Sequence, residues 1–267
     1  MILVTGSTGT FGNAVLNKLL EDKIANRAVS RDIFDWNKPE TFKSNLIGIE
    51  KIFLIAPPNF TDFNKKVETF IEEAKKSNVK FILYSSLYGA EKTQNNSFGK
   101  TEKAIIESGI NYTIIKPNFI FQNFINYDAE AIKNGIIYLP TKNSKTAYID
   151  VNDVATASKT ILAKPEKHFG KEYTLTGSES LSHEQFAEIF SNVLEKKITN
   201  ISPTNDEYKA TLLSYNLPKE LVDFMGYLYS AIEAGSFTKT TNDYEMITGK
   251  KPITAKEFIE LNSSKFI

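Results

Sequence analysis

Gly6, Gly9 and Gly12 stand three apart in the stretch VTGSTGTFG (4–12), directly behind the apolar run MILV. Glycines at this spacing permit a tight turn and let a ligand approach the backbone closely. A helix that starts on such a turn presents free N–H groups and the positive end of its dipole. The ligand these features suit is a phosphate or pyrophosphate. Ser7, Thr8 and Thr10 add hydroxyl donors, and Phe11 lies in the first turn of the expected helix. A strand before the loop and a helix after it make the assignment much more specific than glycine spacing alone.

Other chemistry is narrowed by what the chain lacks. Among 267 residues there is no cysteine, so disulfides, thiolate metal sites and thiol nucleophiles are excluded. Two histidines, His168 and His183, are too few for a histidine metal cluster and argue against a Ser-His-Asp triad. His168 lies in the polar loop KPEKHFGKE and His183 at a helix start, and both are expected to be solvated. Asp150 and Asp153 open a helix, where carboxylates favour the dipole and cap N–H groups, a structural role. Lys plus Arg and Asp plus Glu both number 32, which gives no broad basic surface for nucleic acid or membrane. No apolar run approaches the ~18 residues of a membrane span. With no leader-like start, a cytoplasmic location is expected.

The elements that must position the loop alternate in type. Strands are predicted at 1–5, 27–30, 51–56, 80–86 and 112–117, and helices at 11–21, 39–46, 60–77 and 98–108. The runs KIFLIA and KFILYSS are almost wholly apolar, as in a parallel sheet buried on both faces. The helix at 64–76 turns a mixed-charge face to solvent. Together these elements predict an α/β doubly wound parallel sheet of Rossmann type over residues 1–120. Between the strands at 27–30 and 51–56 there is room for one helix only, so the sheet is predicted to be one strand–helix unit short. Residues 121–267 read as a small mixed lobe of substrate-side segments, of which about 147–176 return to the sheet. Helices are expected there near 123–133, 151–163, 182–195 and over much of 204–235, with strands near 146–149 and 172–176. Ser182 and Gln185 form a capping-box pattern. Tyr208, Leu212, Tyr215, Phe224, Tyr227 and Tyr229 can serve as core, lid or dimer surface.

The loop spacing resembles that of extended and atypical short-chain dehydrogenase/reductases. The stretches TEKAIIESGINYTIIKPNFIFQNF (101–124), AYIDVNDVATASKTIL (147–162) and GKEYTLTGSESLSHEQFAEIFS (170–191) resemble, in the same order, segments of the NmrA-like family. The resemblance covers nearly the whole chain and implies a domain binding NAD(P)(H), with a small lobe over the nicotinamide end. It implies a set of cofactor contacts: Gly6, Ser7, Thr8, Gly9, Thr10, Phe11 and Gly12 at the pyrophosphate; Arg31 and Asp32 bordering the adenosine; and Ala56 and Pro57 at the ribose. Ser85, Ser86 and Lys100 are then expected toward the nicotinamide, and Pro117, Asn118 and Phe119 behind its ring. Arg31 stands about 20 positions beyond the loop, where an arginine pairs with a 2′-phosphate, so NADPH is expected over NADH.

The short-chain reductases use Tyr-x-x-x-Lys and a serine. In NNSFGKTE (95–102) Lys100 fills the lysine place, but Asn96 stands where the tyrosine belongs, and an amide is no general acid. Ser86 matches the serine, and Tyr88 is an alternative proton donor. Hydride transfer to a quinone-like or other conjugated acceptor needs no tyrosine, since the cofactor carries the hard chemistry. The NmrA-like group includes quinone reductases without it. Phe121, Phe124 and Tyr88 are expected to line the pocket for a flat acceptor. The expected protein is an NAD(P)H-dependent oxidoreductase, monomer or homodimer, acting on a small molecule with no nucleic-acid or membrane partner. The alternative is a dinucleotide-binding redox sensor that acts through a protein partner.

Overall fold

The computed structural model describes residues 1–56, 63–90 and 96–267. Its first half runs β1 (Ile2–Val4), α1 (Thr10–Glu21), β2 (Asn26–Ala28), α2 (Glu40–Leu46), β3 (Lys51–Ile55), α3 (Phe63–Lys76), β4 (Phe81–Ser85), α4 (Ser97–Glu107) and β5 (Asn111–Pro117). Then follow α5 (Gln122–Asn126), α6 (Ala129–Lys133), β6 (Ile136–Tyr138), β7 (Lys145–Thr146), α7 (Val151–Ala163), β8 (Lys171–Leu175), β9 (Leu181–Ser182) and α8 (His183–Leu194). The chain ends with β10 (Thr199–Ile201), α9 (Asn205–Ser214), α10 (Lys219–Glu233), α11 (Asp243–Thr248) and α12 (Ala255–Leu261). Two compact units result. Unit 1 is Met1–Pro117, Val151–Leu175 and Asp243–Lys250, and unit 2 is Asn118–Asp150, Thr176–Asn242 and Lys251–Ile267.

Unit 1 carries a six-stranded parallel sheet in the order β2-β1-β3-β4-β5-β8. The chain leaves β1 for β2 on one side and returns through α2 to β3 on the other. The order therefore reverses between β1 and β3, the place where parallel sheets open a ligand crevice. β2 is an edge strand. Leu3, Ile52, Leu54, Ile82 and Ile114 from the strands pack against Phe42, Val67, Phe70, Ile71 and Ile105 from α2, α3 and α4. The alternation of apolar positions along α3 follows from its 3.6-residue period, which puts Phe63, Val67, Phe70, Ile71 and Ala74 on one buried face. Gly109, at positive φ, follows α4 and turns the chain toward β5.

Unit 2 is built around aromatic rings. Phe121 stacks on Phe258 and Tyr148, and Phe124 meets Tyr148, Phe186 and Phe190. The helix expected at 123–133 is two short ones, α5 and α6, because the chain leaves helical geometry at Tyr127. The strand expected at 146–149 shrinks to β7 and a single bridge between Ile120 and Ile149. β6 and β10 pair in parallel, a pairing the sequence reading did not include. The capping box at Ser182 and Gln185 forms as expected.

Both histidines are buried, contrary to expectation. His168 of unit 1 bonds the Tyr173 hydroxyl through Nδ1 at 2.8 Å. His183 of unit 2 lies between Thr141 Oγ1, 2.8 Å from Nδ1, and the Tyr148 hydroxyl, 3.1 Å from Nε2. A neutral imidazole satisfies both, donating once and accepting once. Polar loop composition misled because the rings are flat and apolar enough to pack once each nitrogen has a partner. Burial holds the His183 imidazole down at about 4 and pushes the Asp128 carboxyl up to about 7. These groups pull stability in opposite directions. The His183 contribution is present above pH 6.5 and is lost as pH falls toward 4; the Asp128 contribution is present below pH 3.8 and is lost as pH rises through 7. Asp128→Asn removes the second alone. Its stability relative to the parent is expected to climb by up to about 1.4 kcal/mol per pH unit between those limits. Urea unfolding at pH 4.5 and pH 7.5 reads this, and equal differences at both would mean that Asp128 ionises normally.

Candidate cofactor site

The glycine loop leaves β1 at the switch point. Thr5 fastens it there: its hydroxyl donates to the Ile55 carbonyl at 3.0 Å, and the Ile55 N–H donates to the same hydroxyl at 2.7 Å. Gly6 has φ +61°, the left-handed region that a side chain resists. Gly12 packs on it so closely that a Cβ there would lie 2.1 Å from the Gly6 carbonyl oxygen. Buried Ser7 Oγ donates to the Val29 carbonyl at 2.9 Å and ties the loop to the end of β2, while Thr8, Gly9 and Thr10 face outward. Gly9 caps α1 without a side-chain bond, and no acidic residue occupies the first turn. Among the described residues, the N–H groups of Thr10, Phe11 and Gly12 meet no backbone acceptor. This is a cradle for an anion: shaped by backbone, open outward, and supplied with unsatisfied donors at the positive end of a 12-residue helix. A dinucleotide pyrophosphate fits it.

Arg31 and Asp32 are exposed in the turn after β2, on the carboxyl side of the sheet, and half-buried Ala56 follows β3. Pro57 lies outside the described residues. Half-buried Ser85 ends β4, buried Ser86 follows it directly, and Tyr88 sits half-buried in the next turn. Pro117 is buried at the end of β5. In unit 2, the Asn118 side-chain amide donates to the Phe237 carbonyl at 3.0 Å and its oxygen accepts from Phe119 N–H at 2.9 Å. Phe119 is half-buried and packs edge-on to Phe237 and Tyr148. Phe121 and Phe124, expected at a substrate pocket, are fully buried in the unit 2 core.

Lys100 is not where the resemblance implied. It is exposed and lines an outward groove between α3 and α4 with Glu68, Glu72, Lys103 and Glu107. The helical period explains this. Thr101, Glu102 and Ile105 take the inward face of α4, which turns position 100 away from Ser86. Asn96, in the tyrosine place, is the N-cap of α4, its side chain accepting from Gly99 N–H at 2.8 Å.

The partner that Ser86 has instead is Glu102, to which its hydroxyl donates at 2.5 Å. Glu102 Oε2 lies 3.3 Å from Lys116 Nζ, and Lys116 Nζ lies 2.7 Å from Glu172 Oε2. Glu102 and Lys116 are buried. Burial holds the Glu102 carboxyl above its ordinary value, with Ser86 and Lys116 acting against that rise. Sequence reading passed over both residues, although a lysine inside the apolar strand YTIIKP was a visible signal. Asp150 accepts from the Gln122 amide within unit 2, and Asp153 from the Tyr244 hydroxyl within unit 1, both structural.

A parallel sheet whose switch point opens beside a glycine-rich helix start is the Rossmann-type architecture of dinucleotide-binding proteins. The chain matches the NmrA-like family over residues 34–259 and belongs to it. It is 27% identical to an NAD(P)H azoreductase of Xenophilus azovorans, covering 100% of this chain and 99% of that one. It is 25% identical to quinone oxidoreductase 2 of Escherichia coli K12, over 84% and 85% of the two chains. The fold is shared with the Escherichia coli NADPH-dependent quinone oxidoreductase solved with NADPH (TM-score 0.88, 23% identity, 98% and 100% covered). It is shared too with the Citrobacter triphenylmethane reductase solved with NADP(H) (TM-score 0.82, 23% identity, 97% and 99% covered). No helix among the described residues is long and apolar enough to cross a membrane.

Proposed function

We propose that this protein is an NAD(P)H-dependent oxidoreductase that reduces a quinone-like or other conjugated small molecule by direct hydride transfer. The observation that carries the reading is the cradle formed by Gly6, Gly9 and Gly12 beneath the free N–H groups of α1. Relatives named as azo and quinone reductases supply the reaction class. When bound, the nicotinamide supplies the hydride. The chain's own share is to hold the pyrophosphate on Thr10, Phe11 and Gly12, to seat the adenosine beside Arg31 and Asp32, and to place Ser86 at the reacting end. Asn96 caps a helix and moves no proton, which suits an acceptor that takes hydride without a tyrosine.

NADPH is the proposed cofactor because Arg31 stands exposed past β2 with its guanidinium available to a 2′-phosphate. The test is NADPH and NADH oxidation by the purified protein with a panel of quinones and azo dyes. Oxidation is expected only with both protein and acceptor present. Arg31→Ala is expected to raise KM for NADPH about tenfold, the worth of roughly 1.4 kcal/mol, and to leave KM for NADH within about twofold. Saturable NADPH binding with no oxidation of any acceptor would count against the reductase reading.

A further inference from the structure

Ser86, Glu102, Lys116 and Glu172 form an unbroken polar line through unit 1, with successive gaps of 2.5, 3.3 and 2.7 Å. Its inner end, Ser86, sits at the carboxyl edge of β4, the edge where parallel sheets bind ligands. Its outer end, Glu172, is on the edge strand β8 with its side chain 45% exposed. The two groups between are buried. An ion pair at that depth is an expensive way to fasten α4 to β5, since apolar side chains of the same size do it as well or better. The hydroxyls of Tyr84 and Thr101 stand beside the line, both buried and without a hydrogen bond of good geometry. The line thus crosses a region of unit 1 where buried polar groups gather, and it joins solvent to the position of the expected reacting serine.

We propose that these four residues are a proton relay that carries a solvent proton to the acceptor at Ser86. This rests on the reductase reading above. Reduction of a quinone to a hydroquinone consumes one hydride, which the nicotinamide supplies, and one proton, which the chain supplies. The acceptor oxygen takes the Ser86 hydroxyl proton as its new O–H bond forms. Ser86 takes its replacement proton through Glu102. Glu102 takes a proton from the Lys116 ammonium, the Lys116 amine takes the proton of the Glu172 carboxyl, and Glu172 takes that proton from hydronium in solvent, leaving water. Each step breaks one bond to hydrogen and forms one, and no second reductant is needed. The groups that face Glu102 are Tyr84 and Ser86 from β4, Lys116 from β5 and Glu172 from β8. Burial raises the proton affinity of the carboxyl, which suits a group that takes up a proton and passes it on.

Two readouts test it. In the protein without cofactor, the infrared carbonyl band of a protonated carboxyl is expected, lost in Glu102→Gln, with a titration midpoint above that of a surface glutamate. In heavy water its deuterium shift is expected to slow at least tenfold in Glu172→Gln, a change at a partly exposed side chain whose amide oxygen can still accept from Lys116. In turnover, Glu102→Gln is expected to lower kcat about tenfold, flatten the pH profile and leave KM for NADPH within about twofold. Glu102→Asp should restore part of kcat. Unchanged kcat and pH profile in Glu102→Gln, or undiminished exchange in Glu172→Gln, would overturn the relay and leave a structural ion pair. A parent protein that oxidises no NADPH would instead defeat the reductase reading, and the infrared pair would still decide whether the relay conducts.

Discussion

Gly12→Ala is expected to weaken NADPH binding at least a hundredfold. The added Cβ would stand 2.1 Å from the Gly6 oxygen and 2.6 Å from the Gly6 carbon, both backbone atoms that cannot swing aside. Relief requires α1 to move off the loop or the Gly6 peptide to turn, and either displaces the N–H groups that form the cradle. The same crowding costs about 1–3 kcal/mol of stability in the unliganded protein. Gly9→Ala is the control. Its Cβ would meet only the Gly6 oxygen at 3.4 Å, and its φ of −88° suits any residue. That variant should keep its melting temperature within about 2 °C, the effect of a few tenths of a kcal/mol. Calorimetric titration with NADPH beside a thermal melt measures both. If Gly12→Ala bound NADPH like its parent, the loop would not be the pyrophosphate site.

The loop and the sheet were legible because their signals are local. A glycine pattern between an apolar run and a helical pattern needs no distant partner to be interpreted, and strands buried on both faces are apolar throughout. The crossover count between β2 and β3 was readable for the same reason. What escaped reading depends on residues far apart in the chain. β6 and β10 are each three residues long and find each other across about 60 positions. His183 is buried because Thr141 and Tyr148 satisfy it, and neither neighbours it in sequence. Lys100 was placed by analogy with a motif whose tyrosine is missing. Once Asn96 caps the helix, the phase of α4 assigns the inward position to Glu102 instead. A charged residue among the buried positions of a seven-residue strand, Lys116 in β5, should have prompted a search for its counter-ion.

That counter-ion makes Lys116 a sensitive position for stability. Lys116→Met is expected to destabilise the protein by about 3–5 kcal/mol near pH 8, the usual penalty for leaving one member of a buried pair alone. The apolar stem is replaced almost atom for atom, so the loss is the stranded Glu102 carboxylate and not a cavity. The penalty must then depend on pH. Lys116 acts against the rise in the Glu102 carboxyl, and its removal pushes that carboxyl further up. A carboxyl whose folded value is raised gives stability below its unfolded value, near 4.3, and loses it as pH climbs through the folded value. The Lys116→Met defect should therefore shrink at pH 5, where Glu102 can hold a proton, and grow toward pH 8. Adding Glu102→Gln to Lys116→Met should recover most of the loss at pH 8, because two neutral partners leave no buried charge. Urea unfolding of the two single variants, the double variant and the parent at both pH values closes the cycle. A defect equal at pH 5 and pH 8, or unrelieved in the double variant, would place the cost in packing of β5 rather than in the charge of Glu102.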